Sequence, residues 1–253
     1  MKPASKNFYS VSAALFILPN IFTISGIFCG MFAIIQLTNI KGAATFYDAA
    51  LAIFFAGFFD MFDGRVARLT KTQSEFGVQM DSLADAISFG VAPGILIYKW
   101  ALWPLGPVGV VAAFCYTACG VIRLARFNVA PAERIPDERH DTYFTGLPIP
   151  AAAGALILLV MAHYRLFPGL GIQNPWVIMG ITIGLAILMV SNVPYWTFKK
   201  VPFSVSLFFF IVVCSVTATL TSFGYPASMG LLGLLVIYIT SGFILYVLSK
   251  LKS

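Results

Sequence analysis

Four aspartates crowd the stretch FFDMFDGRVARLTKTQSEFGVQMDSLADAISFG, residues 58–90, of a chain that is otherwise strongly apolar. Asp60 and Asp63 are spaced i, i+3, and Asp81 and Asp85 i, i+4, so each pair projects from one face of a helix. A short return between two such helices would bring the faces together and gather four carboxylates at one point. A cluster of that kind is prohibitive near lipid unless it is compensated, and ionisable groups at membrane depth are as a rule buried, paired and functional. Oxygen-only ligands with no His or Cys nearby suit Mg²⁺ or Mn²⁺, and Mg²⁺ commonly sits between protein carboxylates and substrate phosphates. The chemistry this predicts is metal-assisted work on a phosphate-bearing substrate. The residues between the pairs agree with it: Gly64 permits close backbone approach at the end of the first helix, and Arg68 brings a planar cation suited to phosphate oxygens. Lys71 and Ser74 add a charge and a hydroxyl on the predicted loop, and Gly77 allows its sharp return. A single Asp–Arg pair would be read as mutual neutralisation at a helix boundary. Four aspartates and two glycines on adjacent helix ends argue against so plain a role.

The elements that must position these groups are set by composition. The chain has 253 residues, 59% hydrophobic and 10% charged, with a mean hydropathy of +0.89, against roughly 45–50% apolar and 25% charged in soluble domains. Apolar runs of about 20 residues, the length that crosses a hydrocarbon core of roughly 30 Å, recur between polar breaks. Open sheets cannot satisfy their backbone in lipid, and the alternation of a barrel strand is missing. The expected fold is therefore all-α: a polytopic membrane bundle of eight spans at about 15–37, 43–63, 78–100, 105–127, 147–165, 174–192, 203–222 and 228–248. Pro, Gly and charge cluster at the breaks, among them GRVARLTKTQSEFG and NVAPAERIPDERHDTYFTG. Residues 1–253 read as one integral membrane domain, with neither a cleaved signal peptide nor a separate soluble domain.

Charge sets the expected orientation. With the N-terminus cytoplasmic, the inner side holds Lys2, Lys6, Arg65, Arg68, Lys71, Arg123, Arg126, Arg134, Arg139, Lys199, Lys200, Lys250 and Lys252, leaving only Lys41, Lys99 and Arg165 outside. The net charge of +6 is then explained by topology and anionic lipid headgroups, not by nucleic acid. Both termini and the aspartate loop should face the cytoplasm. Cys29, Cys115, Cys119 and Cys214 all fall in predicted spans and read as small packing residues; Cys115 and Cys119 share a face but have no second pair of soft ligands for zinc. His140 and His163 are too isolated to make a catalytic case.

The pattern Asp60-x2-Asp63-Gly64-x2-Ala67-Arg68-x8-Gly77-x3-Asp81-x3-Asp85 resembles the complete signature of the CDP-alcohol phosphatidyltransferases, with no departure at a defined position. The resemblance reaches from Pro19-Asn20-Ile21-Phe22-Thr23 through the later spans. It implies a helical core enclosing a polar cavity open to the cytoplasm, a pair of Mg²⁺ or Mn²⁺ ions, CDP-diacylglycerol as donor and a homodimer. It assigns Asp60, Asp63 and Asp81 to metal binding, and Asp85 to the general base with contact to a second metal. It places Gly64, Arg68 and Ser74, with Asn20 and Thr23 contributing from the first span, around the CDP-diacylglycerol.

The acceptor alcohol is a finer question. Val121-Ile122-Arg123-Leu124-Ala125-Arg126-Phe127-Asn128 and Phe144-Thr145-Gly146-Leu147-Pro148-Ile149-Pro150 resemble the branch of that family that uses L-serine. Arg123 and Arg126, i, i+3 at an inner helix end, could meet a substrate carboxylate or the lipid phosphate, with Asn128 and Thr145 beside them; the plainer reading is positive-inside anchoring. Glycerol 3-phosphate, inositol and choline are the alternative acceptors. Two other classes also bury aspartates. An intramembrane prenyltransferase would carry a second Asp-rich motif, which Asp48, Glu75, Glu133, Asp137, Glu138 and Asp141 do not form, and a cation transporter would hold its charges nearer the bilayer midplane. Trp100, Trp103, Trp176 and Trp196 read as an interfacial belt, and Gly26-x3-Gly30, Gly90-x3-Gly94 and Gly180-x3-Gly184 as close helix approaches.

Overall fold

The computed structural model describes residues 6–70, 72, 74–129, 143–169, 171–172, 174–196 and 224–251. Helices dominate: α1 (Lys6–Thr38), α2 (Ala43–Leu69), α3 (Glu75–Asp85), α4 (Ala92–Ile97), α5 (Pro107–Val129), α6 (Ile149–Leu166), α7 (Pro175–Val190) and α8 (Ala227–Leu251). α3 and α4 belong to one crossing, Glu75–Leu105, joined and prolonged by π-helical turns at Ala86–Val91 and Tyr98–Leu102. Among the described residues six helices are long and apolar enough to cross a membrane, and α7 is a shorter apolar one. The expected span at 203–222 lies outside the described residues, as do Lys71, Arg134, Arg139, His140 and Cys214.

Two expectations need correction. The stretch GRVARLTKTQSEFG is not a loop through most of its length: α2 runs to Leu69 and α3 starts at Glu75, so Gly64 and Arg68 are helical. Val66, Ala67, Arg68 and Leu69 carry little or modest helix penalty, and a lone glycine costs only about 1 kcal/mol in a helix. The return is left to Thr70–Ser74. The second unforeseen feature is a two-stranded antiparallel ribbon, β1 (Tyr143–Thr145) with β2 (Pro194–Trp196), pairing Phe144 with Tyr195 and Thr145 with Pro194. Three-residue strands in a Pro- and Gly-punctuated sequence give no period to read. Gly146 follows β1 at φ +83°, and its N–H donates to Val193 O at 2.9 Å. The next residue, Leu147, donates to Leu188 O at 3.0 Å, so the ribbon is fastened to the end of α7.

The packing shows why the aspartate-bearing elements stand where they do. α1 lies along α2, and α6 contacts both α2 and α8. α1 also meets the aspartate-bearing crossing, where its small residues let backbones touch. Ser88 Oγ donates to Gly26 O at 3.0 Å, and a Cβ on Gly30 would lie 3.0 Å from Ser88 Cα. Farther along, Thr117 Oγ1 donates to Gly90 O at 3.2 Å, and a Cβ on Gly94 would lie 2.7 Å from that hydroxyl. By contrast Gly180 and Gly184 have nothing near them among the described residues. The π-turn after Asp85 disturbs the regular ladder, which lipid would punish. Tyr116 Oη donates to Phe89 O at 3.0 Å, and the Thr117 hydroxyl, shared with Ala113 O of its own helix at 3.1 Å, reaches the next carbonyl of that turn. Large apolar side chains at Ile24, Phe28, Phe55, Phe114, Ile187 and Phe243 are exposed, as on a surface that meets hydrocarbon, and Trp103 and Trp176 are exposed at helix ends.

Candidate active site

The two aspartate pairs converge. Asp60 and Asp63 come from the last turns of α2, Asp81 and Asp85 from α3, and together with Thr23 and Ser88 they line one small cavity. Carboxylate oxygens of Asp60, Asp63 and Asp81 all lie within 4.8 Å of one another. Ligands of a single Mg²⁺ with bonds of roughly 2.1 Å stand up to about 4.2 Å apart. This all-oxygen trio therefore fits a hard divalent ion after small side-chain rotations. Asp85 is outside the trio but adjacent: Asp60 brings its carboxyl within hydrogen-bonding distance of those of both Asp81 and Asp85.

Local structure holds this arrangement. Asp63 is the most buried of the four at 6% exposure, and Thr23 Oγ1 donates to its Oδ2 at 2.8 Å, fixing the carboxylate from α1. Thr23 lies one turn after Pro19, a buried proline inside α1, whose carbonyl is 3.2 Å from the same hydroxyl. Ser74 caps α3, its Oγ accepting from Gly77 N at 3.0 Å. A cap of this kind is worth about 1 kcal/mol, and here it fixes the start of the helix that carries Asp81 and Asp85.

The remaining sequence candidates are spread over α2, α1, α5 and β1. Gly64 has open space where a Cβ would project, and Arg68 is exposed one turn farther along α2. Asn20 is half-buried on α1, one turn before Thr23. On α5, Arg123 faces the aspartates: it stands within electrostatic reach of Asp85 and of Tyr238 on α8, and its buried Nε has no hydrogen-bond partner. Arg126 turns elsewhere. Its guanidinium donates to Val190 O at 3.2 Å and to Asn192 Oδ1 at 3.1 Å, tying α5 to the end of α7. Asn128 bonds across to α3, its Nδ2 donating to Ser82 Oγ at 2.9 Å, next to Asp81 in the chain. Thr145 is exposed on β1. Tyr238, Tyr195 and Ser82 near this region are not singled out by the sequence, because a tyrosine or serine in an apolar span carries no spacing signal.

The family model for CDP-alcohol phosphatidyltransferases matches residues 16–188. A CDP-diacylglycerol–serine O-phosphatidyltransferase of Helicobacter pylori strain J99 is 37% identical over 202 residues, covering 79% of this chain and 80% of that protein. Proteins of the same description from Bacillus subtilis and Methanocaldococcus jannaschii are similar too. The former is 36% identical over 183 residues, 72% of this chain and 92% of its own length, and the latter 35% identical over 195 residues, 77% and 82%.

Proposed function

The chain belongs to the CDP-alcohol phosphatidyltransferase family, and from that premise we propose that it transfers the phosphatidyl group of CDP-diacylglycerol to the hydroxyl of L-serine, releasing CMP. The observation that carries the chemistry is the trio of carboxylates within 4.8 Å, drawn from two helices, with a fourth carboxylate beside it. Asp60, Asp63 and Asp81 would hold Mg²⁺ or Mn²⁺, which when bound would supply positive charge to offset that of the pyrophosphate and ease the departure of CMP. Thr23 keeps Asp63 aimed at this position, and Ser74 does the same for α3 as a whole. The open face at Gly64 and the exposed Arg68 receive the CDP moiety, with Asn20 at the α1 side. Asp85 takes the proton of the serine hydroxyl as its oxygen bonds to the lipid-bearing phosphorus, and the bond from that phosphorus to the CMP oxygen breaks. Purified protein should release CMP from CDP-diacylglycerol in a serine-dependent way. Release driven instead by glycerol 3-phosphate, inositol or choline would keep the family chemistry and replace the acceptor.

Acceptor choice gives a sharper expectation, since the two α5 arginines have parted company. Arg123→Ala removes a cation beside Asp85 and is expected to raise the serine KM roughly tenfold to hundredfold, the worth of a hydrogen bond to a charged group, with the CDP-diacylglycerol KM little changed. Serinol, which lacks the carboxylate, should be a poor acceptor for the wild type and less disfavoured by this variant. Arg126→Ala instead removes two bonds to the end of α7 and is expected to lower the melting temperature while leaving the ratio of the two KM values alone. Titrating each substrate in turn, alongside thermal melts in detergent, checks both; equal losses on both substrates in Arg123→Ala would assign that arginine to the lipid phosphate or the fold.

The proposal includes orientation and assembly. Arg65, Arg68, Arg123 and Arg126 share the aspartate end of the bundle, whereas Lys41 follows α1, Lys99 stands late in the Glu75–Leu105 crossing and Arg165 ends α6. That end faces the cytoplasm, where CMP is released, and the whole chain acts as one domain in a homodimer. In a variant stripped of its four cysteines, single cysteines at positions 73 and 138 should label only from the cytoplasmic side, and one at position 41 only from outside. Labelling of position 73 from outside would reverse the orientation.

A further inference from the structure

Buried side-chain polar atoms without a hydrogen-bond partner are few among the described residues: Arg123 Nε, Tyr195 Oη and Ser228 Oγ. Two of the three belong to one neighbourhood. Arg123 stands within electrostatic reach of both Asp85 and Tyr238. The Tyr238 ring in turn lies 5.7 Å from that of Tyr195. Tyr195 is fully buried, and leaving its hydroxyl unpaired there carries a penalty that phenylalanine would avoid. Its position is nonetheless built for. α8 has a glycine, Gly242, one turn beyond Tyr238, and a Cβ at Gly242 would collide with Tyr195 Cε1 and lie 2.6 Å from Cδ1. Two further properties suit a binding role. Burial pushes the Tyr195 phenol up, so it remains a neutral hydroxyl, and a neutral hydroxyl can both donate and accept. The buried Arg123 Nε–H, which nothing accepts among the described residues, belongs to a guanidinium within electrostatic reach of Asp85.

We propose that Arg123, Tyr238 and Tyr195 form the acceptor subsite, taking the α-carboxylate and α-ammonium of a small hydroxy amino acid whose hydroxyl faces Asp85. This rests on the reading of the chain as a transferase with an amino acid acceptor, and adds which groups recognise each end of it. The guanidinium donates to the carboxylate. The ammonium is held by tyrosine hydroxyl oxygen and by the face of an aromatic ring. An acceptor that lacks either charged end leaves a buried polar group unpaired, which is how such a site rejects near relatives more strongly than an apolar pocket can. Tyr195 and Tyr238 lie beyond residue 188, where the family match ends. The catalytic aspartates and Arg123 sit within the matched core, so selection of the acceptor is shared between α5 inside it and β2 and α8 beyond it.

The test uses the full-length protein in detergent micelles with CDP-diacylglycerol, following CMP release with L-serine and with L-glycerate, which keeps the hydroxyl and carboxylate but has no amine. Tyr195→Phe and Tyr238→Phe are each expected to raise the serine KM roughly tenfold or more, to leave the CDP-diacylglycerol KM within about twofold, and to shrink the wild-type preference for serine over glycerate. Gly242→Ala, which displaces the Tyr195 ring with its hydroxyl intact, should do the same to a smaller degree. Unchanged serine KM in both tyrosine variants, or an unchanged serine-to-glycerate ratio, overturns the subsite. So does a rise shared equally by serine and CDP-diacylglycerol in all three variants, which is the signature of a structural role. A wild type whose CMP release is indifferent to serine fails earlier: it overturns the acceptor reading and this inference with it. A serine-dependent wild type with indifferent variants overturns the subsite alone.

Discussion

Asp85→Asn is expected to lower turnover by roughly 10²–10⁴, the usual scale of general acid–base help, while CDP-diacylglycerol still binds. The substitution keeps the shape of the side chain and removes its ability to take a proton. Asp85 lies in the same cavity as Asp60, Asp63 and Asp81 but outside the trio whose oxygens fall within 4.8 Å of one another. Losing it therefore should spare the metal-holding set and stop the step in which a serine hydroxyl gives up its proton. A loss of negative charge beside three other carboxylates also relieves repulsion, so the variant should fold and bind the anionic donor at least as well as wild type. Steady-state CMP release gives kcat, and a metal titration at saturating substrate gives the requirement for Mg²⁺ or Mn²⁺. Near-normal kcat removes Asp85 from the role of base. A normal kcat only at raised metal concentration would make it a metal ligand instead.

How far the sequence reaches can be judged residue by residue. The i, i+3 and i, i+4 spacings of the aspartates survive into the structure because they depend only on helix geometry, and the apolar runs identify the crossings because bilayer thickness sets their length. The end of α2 was less legible. Gly64 and the polar run after it read as a break, yet good helix formers carried the helix to Leu69, and only the Ser74 cap shows where the next helix starts. Thr23 lay within the resemblance at the first span, but its bond to Asp63 spans 40 positions and no local period encodes it. The same holds for the acceptor side. Arg123 and Arg126 look equivalent at i, i+3, and what separates them is the company on other elements: Val190 and Asn192 for one, Asp85 and Tyr238 for the other. Contacts across more than sixty positions, such as Arg126 with Asn192, are tertiary facts. A single sequence has no pattern that carries them.

Asp63→Ala is expected to abolish measurable activity at ordinary metal concentrations and to raise the metal requirement well beyond the roughly 10–100-fold that loss of an outer-shell partner brings. Asp63 is one of the three carboxylates within reach of a single ion, and Thr23 holds its Oδ2 in place, so its loss removes a ligand already aimed at the metal position. The variant also strands Thr23, whose hydroxyl donates to Asp63 at 2.8 Å and would be left with only the Pro19 carbonyl at 3.2 Å. Thr23→Val makes the complementary change, keeping the carboxylate and removing the group that aims it. Its metal requirement should rise within that 10–100-fold range, with kcat at saturating metal close to wild type. Because the two residues act as a unit, the double variant should be no worse than Asp63→Ala by itself. Activity titrated against Mg²⁺ and against Mn²⁺ in the four proteins closes the cycle. Additive losses would mean that Thr23 serves the site by some route other than Asp63, such as direct contact with the nucleotide, and an unchanged titration in Asp63→Ala would remove this residue from the metal-holding set altogether.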